Sequence, residues 1–127
     1  MKRVIVAIQN VLVLEAIINA LNKRGIFTEK SLCSDPQNIA SLCKSMYADI
    51  LVMDVTRFGE GEFINRMKTL KEVRSLNPKT KICFIFDNNS DNDLFYKILN
   101  AKETGQIDAF FYQSVPSDYV ADVISTL

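Results

Sequence analysis

Short apolar runs alternate with longer segments of helical period along the whole chain, and this alternation limits the possible folds more than any other feature. Four short runs of β-branched or other apolar residues have the length of strands buried on both faces, and a weaker run fits an edge strand. They cover residues 3–8, 50–53, 82–86 and 109–112, with the weaker run at 27–32. Parallel strands need crossover connections, which are right-handed. The sequence therefore predicts an α/β fold: a three-layer, doubly wound, five-stranded parallel sheet in the flavodoxin-like order 2-1-3-4-5.

The segments between the runs carry apolar residues at the i, i+3, i+4, i+7 spacing of amphipathic helices. The first helix is predicted to end just before Gly25, which occupies the position of a C′ glycine. The second is predicted to begin after Asp35, a capping residue that is followed by a proline tolerated in the first turn. The fifth is predicted to begin at Ser117, as its N-cap.

The third helix, predicted over residues 62–74, combines apolar and basic side chains. Its apolar residues are expected to face the sheet: Phe63, Ile64, Met67 and Leu70. The basic residues of this stretch and of the following loop are expected to form a solvated face: Arg66, Lys68, Lys71, Arg74, Lys79 and Lys81.

The charge balance and the missing histidine exclude several function classes. The 127 residues include fifteen basic and fifteen acidic ones, a formal net charge of zero. A free-standing nucleic-acid binder needs an excess of cations to displace phosphate counterions, so we expect this segment to bind no nucleic acid. The chain has no histidine, which removes the commonest general base and every Ser-His or Cys-His dyad. It has no glycine-rich phosphate loop either, so we expect no enzyme.

The length of the chain indicates one domain over residues 1–127, without an internal linker or repeat. The three cysteines, Cys33, Cys43 and Cys83, have spacings that fit neither a zinc site nor a disulfide framework, and we expect reduced, packed thiols. The N-terminal apolar run ends at Gln9, too early for a membrane span. We therefore expect a cytoplasmic protein with no membrane contact.

The third strand leads to the chief candidate for a site, Asp54, which closes an apolar run. Ligand sites of doubly wound sheets lie at the carboxyl ends of the strands, which is where this carboxylate is expected. Such an aspartate is either a phosphate acceptor or a strand-end residue that caps the next loop.

Several segments of the chain resemble the receiver domain of two-component response regulators, in particular those of the LuxR/NarL type. The similar segments are RVIVA at residues 3–7, ADILVMDV at 48–55, LNPKTKI at 76–82 and DAFFY at 108–112. These segments have the order and spacing found in that family, so the resemblance covers nearly all of the chain. The resemblance implies the receiver fold and makes Asp54 the phosphoacceptor position.

Apart from Asp54, the residues that serve phosphorylation in that family are replaced in this chain. The family uses an acidic pair after the first strand to hold a divalent cation, a Thr or Ser after the fourth and a Lys after the fifth, because phosphoryl transfer depends on neutralising charge. The positions are filled here by Ile8 and Gln9, by Phe86 and by Val115. One remaining carboxylate, Asp54, is a poor cage for Mg²⁺, so the resemblance implies no metal and no cofactor unless Asp54 is phosphorylated.

The sequence thus leads to the hypothesis of an atypical receiver, or pseudo-receiver. Such a regulatory domain of two-component signalling acts by protein contact rather than by Mg²⁺-dependent phosphorylation of an aspartate. Two alternatives stay open. In one, Asp54 still accepts a phosphoryl group in a phosphorelay through unusual ligands. In the other, Ile8, Phe86 and Val115 line an apolar pocket that senses a small molecule.

A partner surface is predicted on the first, fourth and fifth helices, with homodimerisation as its simplest use. Its expected residues are Tyr96, Ile98, Tyr119 and Asp122. Tyr112 falls at the position of the family's switch aromatic, beside the fifth strand. We also expect the segment to be the N-terminal part of a longer regulator of transcription, with a DNA-binding output domain after Leu127.

Overall fold

The computed structural model describes residues 2–31, 35–87 and 92–127. Within these residues, strands and helices alternate from end to end. The strands are β1 (Arg3–Ala7), β2 (Phe27–Lys30), β3 (Ile50–Val55), β4 (Lys81–Phe86) and β5 (Ala109–Tyr112). The helices are α1 (Val11–Lys23), α2 (Pro36–Ser45), α3 (Phe63–Leu76), α4 (Asn92–Glu103) and α5 (Ser117–Thr126), and a 3₁₀ turn at Gly59–Gly61 precedes α3.

The strands form a single parallel sheet in the order β2-β1-β3-β4-β5, which confirms the predicted topology. The central strand β3 is buried along its whole length, as its uninterrupted apolar sequence requires. In the register of the sheet, Asp54 lies opposite Ile85 of β4. The chain reverses strand order between β1 and β3, so the carboxyl ends of these two strands flank the switch point where ligands of such sheets bind.

Two apolar layers cover the sheet. Helices α2, α3 and α4 pack on one face, around residues such as Phe84 and Ile98, and helices α1 and α5 pack on the other, around residues such as Val52 and Ile17. Of the cysteines, Cys43 and Cys83 are buried free thiols, and burial raises the pKa of each to about 12. Cys33 lies outside the described residues, as does the end of the run predicted for the second strand.

Local signals set the helix ends largely as predicted. Asp35 caps α2 by accepting the N–H of Gln37 at 2.9 Å, and Gly25 follows α1 with a φ of 73°, a left-handed conformation that favours glycine. The prediction for α5 was wrong by one residue: Pro116 holds the N-cap position and Ser117 is the first helical residue. Among the described residues no helix is long and apolar enough to cross a membrane.

The phase of α3 differs from the prediction. Ile64, expected to face the sheet, is 63% exposed, whereas Arg66, expected on a solvated face, is 1% exposed. The stripe that faces the sheet contains Phe63, Arg66, Leu70 and Val73, at spacings of three, four and three residues. The helix therefore inserts a guanidinium among apolar side chains, and this requires an acceptor of matching charge nearby.

Candidate functional site

The candidate site lies at the carboxyl end of β3, where Asp54 ends up 8% exposed. Its Oδ2 accepts the backbone N–H of Gln9, in the turn after β1, at 3.0 Å. Its Oδ1 accepts a hydrogen bond from Nη2 of Arg66 in a buried ion pair. Both carboxylate oxygens of Asp54 are thus engaged by groups of the same chain.

Arg66 reaches this carboxylate from α3. Its Nε donates to the backbone oxygen of Asp54 at 2.7 Å, so Nε and Nη2 grip one residue in the fork arrangement that a guanidinium provides and an ammonium does not. Nη2 also lies 3.5 Å from the backbone oxygen of Ala7 in β1. The side chain therefore links α3 to the two strands that flank the switch point.

The loop between β3 and α3 brings Arg66 into position. The N–H of Thr56 donates to the oxygen of Gly61 at 2.8 Å, and the hydroxyl of Thr56 donates to the oxygen of Phe58 at 2.9 Å. A Cβ on Gly61 would lie 2.5 Å from Oγ1 of Thr56 and 3.2 Å from Oε1 of Gln9. This close approach disfavours any side chain larger than hydrogen at position 61, and α3 begins two residues later.

The ion pair contributes to stability through its hydrogen bonds as well as through its charges. Removing two ions from water costs several kcal/mol for each, and good geometry with additional hydrogen bonds is needed to offset that cost. Here the Gln9 N–H and Nη2 of Arg66 engage the two carboxylate oxygens, and Nε of Arg66 donates to the backbone oxygen of Asp54, whereas Nη1 of Arg66 is buried without a hydrogen-bond partner among the described residues. Loss of either partner would leave the other as an uncompensated buried charge.

The residues found at the family's metal-binding positions do not suit Mg²⁺. Ile8 is 3% exposed and packs in the α1/α5 layer, and Gln9 offers only neutral oxygen atoms. Asp54, the remaining carboxylate, is paired with a fixed cation. Mg²⁺ prefers anionic oxygen and near-octahedral geometry, which this donor set does not supply.

Phe86 and Val115 lie on opposite faces of the sheet. Phe86 is 1% exposed and belongs to the α2/α3/α4 layer, whereas Val115 packs with Ile8 against the α1/α5 layer. Ile8, Phe86 and Val115 therefore do not line one common pocket, and this part of the small-molecule alternative is wrong. The reason is that consecutive strand residues point to opposite faces, so Phe86 and its neighbour Ile85 separate.

Tyr112 lies in an aromatic cluster beside β5. Its ring centroid is 5.1 Å from that of Phe86 and 6.3 Å from that of Phe95, to which it is nearly parallel at 12°. Its residue remains 36% exposed, so it is packed on one side and open to solvent on the other. Phe86 thus fills the space next to Tyr112 that a small hydroxyl residue would leave open.

The residues predicted for a partner surface divide into three kinds. Tyr96 and Tyr119 are 63% and 53% exposed, on α4 and α5. Asp122 is exposed and accepts two hydrogen bonds from Arg24 on the same face of the molecule. Ile98 was misplaced: it is fully buried, because its position on α4 faces the sheet, and it cannot belong to a surface patch.

A cleft of about 570 Å³ opens next to the ion pair. Asp54 lines it together with Gln9 and Asn10 from the β1–α1 turn, Asp87 after β4 and Gln113 after β5. The carboxyl ends of four strands thus meet around one concave space, as the doubly wound topology predicts.

The sequence-based interpretation missed Arg66. A signal for it was present, since Leu70 and Val73 mark the buried stripe of α3 and Arg66 lies one turn before Leu70 on that stripe. A second signal was the lone strand-end carboxylate of Asp54, which without a metal requires a cation from the chain itself.

Comparison with known proteins supports the fold but not a specific family. No protein-family model matches the sequence, and no curated protein matches it. Among solved structures, the chain is similar to a CheY-like response regulator receiver domain from Methanospirillum hungatei JF-1, with a TM-score of 0.74, 16% identity and coverage of 99% of this chain and 92% of that one.

Two further solved structures give the same result. A LuxR-family two-component response regulator from Aurantimonas sp. SI85-9A1 has a TM-score of 0.74 and 18% identity, with 98% of this chain and 82% of that chain covered. A receiver domain protein from Clostridium thermocellum has a TM-score of 0.73 and 17% identity, with 99% and 93% covered. The chain therefore has the fold of response regulator receiver domains.

Proposed function

We propose that the chain is a pseudo-receiver, a regulatory domain of two-component signalling that acts by protein contact and is not switched by phosphorylation of Asp54. The receiver fold of its structural neighbours supports the general role. The observation that carries the specific proposal is the buried ion pair between Asp54 and Arg66.

The ion pair opposes phosphorylation in two ways. An acceptor carboxylate must present a free oxygen in line with the donor phosphorus, while a metal and other cations neutralise the developing charge. Oδ1 of Asp54 is bound by a guanidinium and Oδ2 by a backbone N–H. Phosphorylation of Oδ1 would have to break its bond to Nη2 of Arg66, a side chain that is only 1% exposed.

The cation that pairs with Asp54 is Arg66 of the same chain, so in this proposal the domain needs no magnesium and no other cofactor. It performs no catalysis, and its output comes from surfaces that other proteins recognise. In this proposal it is cytoplasmic, binds neither nucleic acid nor membrane by itself, and serves a longer transcription regulator with a DNA-binding output domain.

Incubation with acetyl phosphate and Mg²⁺, followed by intact-mass measurement, tests the proposal. A phosphorylatable receiver domain run in parallel controls for the reagent, and an Asp54→Asn variant controls for modification elsewhere. We expect no phosphoryl group on the wild-type chain while the control receiver gains one. A gain by the wild type that is absent from Asp54→Asn would establish the alternative, an active phosphoacceptor.

The contact surface of the proposal is a homodimer interface that includes Tyr96 and Tyr119. Exposed tyrosines are enriched at such interfaces because they bury a large apolar ring and keep a polar tip. Sedimentation analysis of a Tyr96→Ser/Tyr119→Ser variant tests it, with Tyr47→Ser as the control because Tyr47 is 75% exposed on another part of the molecule. We expect a dimer for the wild type and the control but a monomer for the double variant. A wild-type monomer would contradict homodimerisation.

A further inference from the structure

The cleft beside Asp54 has the size and shape of a small-molecule site. Its volume of about 570 Å³ lies within the range of roughly 300–1,000 Å³ that is typical of such sites. Aliphatic side chains of the α1/α5 layer line it: Ile8, Val13 and Ile85. This apolar lining sits at the strand edge where doubly wound sheets bind their ligands.

Uncharged polar groups complete the lining. The amide side chains of Gln9, Asn10 and Gln113 come from the turns after β1 and β5, and the hydroxyl residue Thr56 comes from the loop after β3. An apolar pocket with a few convergent hydrogen-bonding groups is the usual composition of a site that orients a small ligand.

Among the described residues, the charges around the cleft cancel. Asp54 is paired with Arg66 behind it, and the other charged residues that the structure describes in the lining, Asp87 and Arg57, have opposite signs. An anion such as an acyl phosphate would find no excess of positive charge there, and a metal ion would find no excess of negative charge. The electrostatics therefore favour a ligand without net charge, because entry of a charged one would cost desolvation without compensation.

We propose that this cleft binds an uncharged, partly apolar small molecule that carries amide-like hydrogen-bonding groups. The inference goes beyond the proposed function but rests on the same ion pair, since a free Asp54 carboxylate would make the cleft acidic. The ligand would bind to groups that lie on both sides of the switch point, and would thereby stabilise one arrangement of the strand-end turns.

Three probes of nearly identical shape test the proposal: benzamide, benzoate and benzamidinium, which are neutral, anionic and cationic. Heteronuclear NMR of the labelled chain would follow the side-chain amide signals of Gln9, Asn10 and Gln113 at millimolar concentrations of each probe. We expect saturable shifts with benzamide and binding weaker by roughly tenfold or more for both charged probes. Comparable affinity for all three, or no saturable shift with benzamide, would overturn the proposal.

A pair of substitutions on α1 locates the binding. Val13 lines the cleft, so Val13→Phe should fill it and abolish the benzamide shifts, whereas Val11→Phe, at a residue that is 61% exposed and outside the lining, should preserve them. If Val13→Phe fails to fold, Gln113→Leu gives a second test by removing an amide without adding bulk. Shifts that survive in these cleft variants would refute binding at this site. Because phosphorylation is measured separately by mass, failure here is distinguishable from failure of the proposed function.

Discussion

Replacement of Arg66 by methionine should destabilise the domain strongly. Methionine keeps much of the aliphatic stem but removes the guanidinium, and so leaves the Asp54 carboxylate, whose side chain is 11% exposed, to the N–H of Gln9. Breaking a buried pair by removing one partner costs about 3–5 kcal/mol. Domains of this kind are stable by about 5–15 kcal/mol, so the loss is a large share of the total.

The individual contacts lead to the same magnitude. Arg66 makes two close hydrogen bonds to Asp54, one to its Oδ1 and one to its backbone oxygen at 2.7 Å. Hydrogen bonds of charged groups contribute about 1.5–3 kcal/mol each, or about 3–6 kcal/mol together. The contact to the oxygen of Ala7 is left out of this sum because at 3.5 Å it is too long to contribute much.

Urea unfolding followed by far-UV circular dichroism measures the effect, since the chain has no tryptophan for fluorescence. Lys97→Met is the control, because the Lys97–Asp93 pair has a 3.2 Å contact but side chains that are 55% and 77% exposed. An exposed pair contributes about 0.2–1 kcal/mol. A loss of less than about 1 kcal/mol for Arg66→Met, similar to that control, would refute the account of the site.

The double variant Asp54→Leu/Arg66→Met separates the pair from its surroundings. Replacing both members of a buried ion pair by apolar residues is often neutral or stabilising, so the double variant should be more stable than Arg66→Met alone. This expected non-additivity identifies the two residues as a coupled pair. If the double variant instead loses the sum of the two single losses, the residues act independently and the ion pair is not the reason for the burial of Arg66.

Three further predictions concern the frame around the site. Burial raises the pKa of Cys43 and Cys83 from 9.0 to about 12, so between these pH values the folded state retains protons that the unfolded chain loses. Stability to urea should therefore fall as the pH rises above about 9. This fall should be steeper than in a Cys43→Ala/Cys83→Ala variant. Gly61→Ala should cost about 1–3 kcal/mol in urea unfolding because its Cβ would meet the Thr56 hydroxyl, and a Thr56→Ala change should restore part of the loss. Asn10→Ala should cost about 1 kcal/mol in the same assay, since Oδ1 of Asn10 accepts the first free N–H groups of α1; an unchanged midpoint would contradict that capping role.

The fold was predictable because it follows from periodicity. Short continuous apolar runs rich in β-branched and aromatic residues fit strands covered on both faces, and the helical segments between them favour parallel crossovers. The structure confirms the strand order that this reasoning predicted. Capping residues such as Asp35 and Gly25 predicted where helices begin and end, because capping depends only on the backbone of a few neighbouring residues.

The ion pair at the centre of the site was not predictable from periodicity. Charged residues are almost never fully buried unless they are paired, so a basic residue within a mixed helix is assigned to the exposed face by default. Arg66 departs from this rule because Asp54, twelve positions earlier in the sequence, supplies its partner through the tertiary structure. Ile64 shows the same limit, since a small change in helix phase exchanges the buried and exposed faces.

The ion pair also determines how the proposed domain can respond to a signal. A magnesium ion and a phosphoryl group are exchangeable, so a receiver that uses them changes state when they arrive or leave. The guanidinium of Arg66 is covalently fixed to α3 and holds it to β3 without any exchange. A shift between conformations then requires another molecule that binds one of them more tightly than the other. In the proposed function that molecule is a protein partner at the exposed helices, and in the further inference it is a neutral ligand in the cleft above the pair.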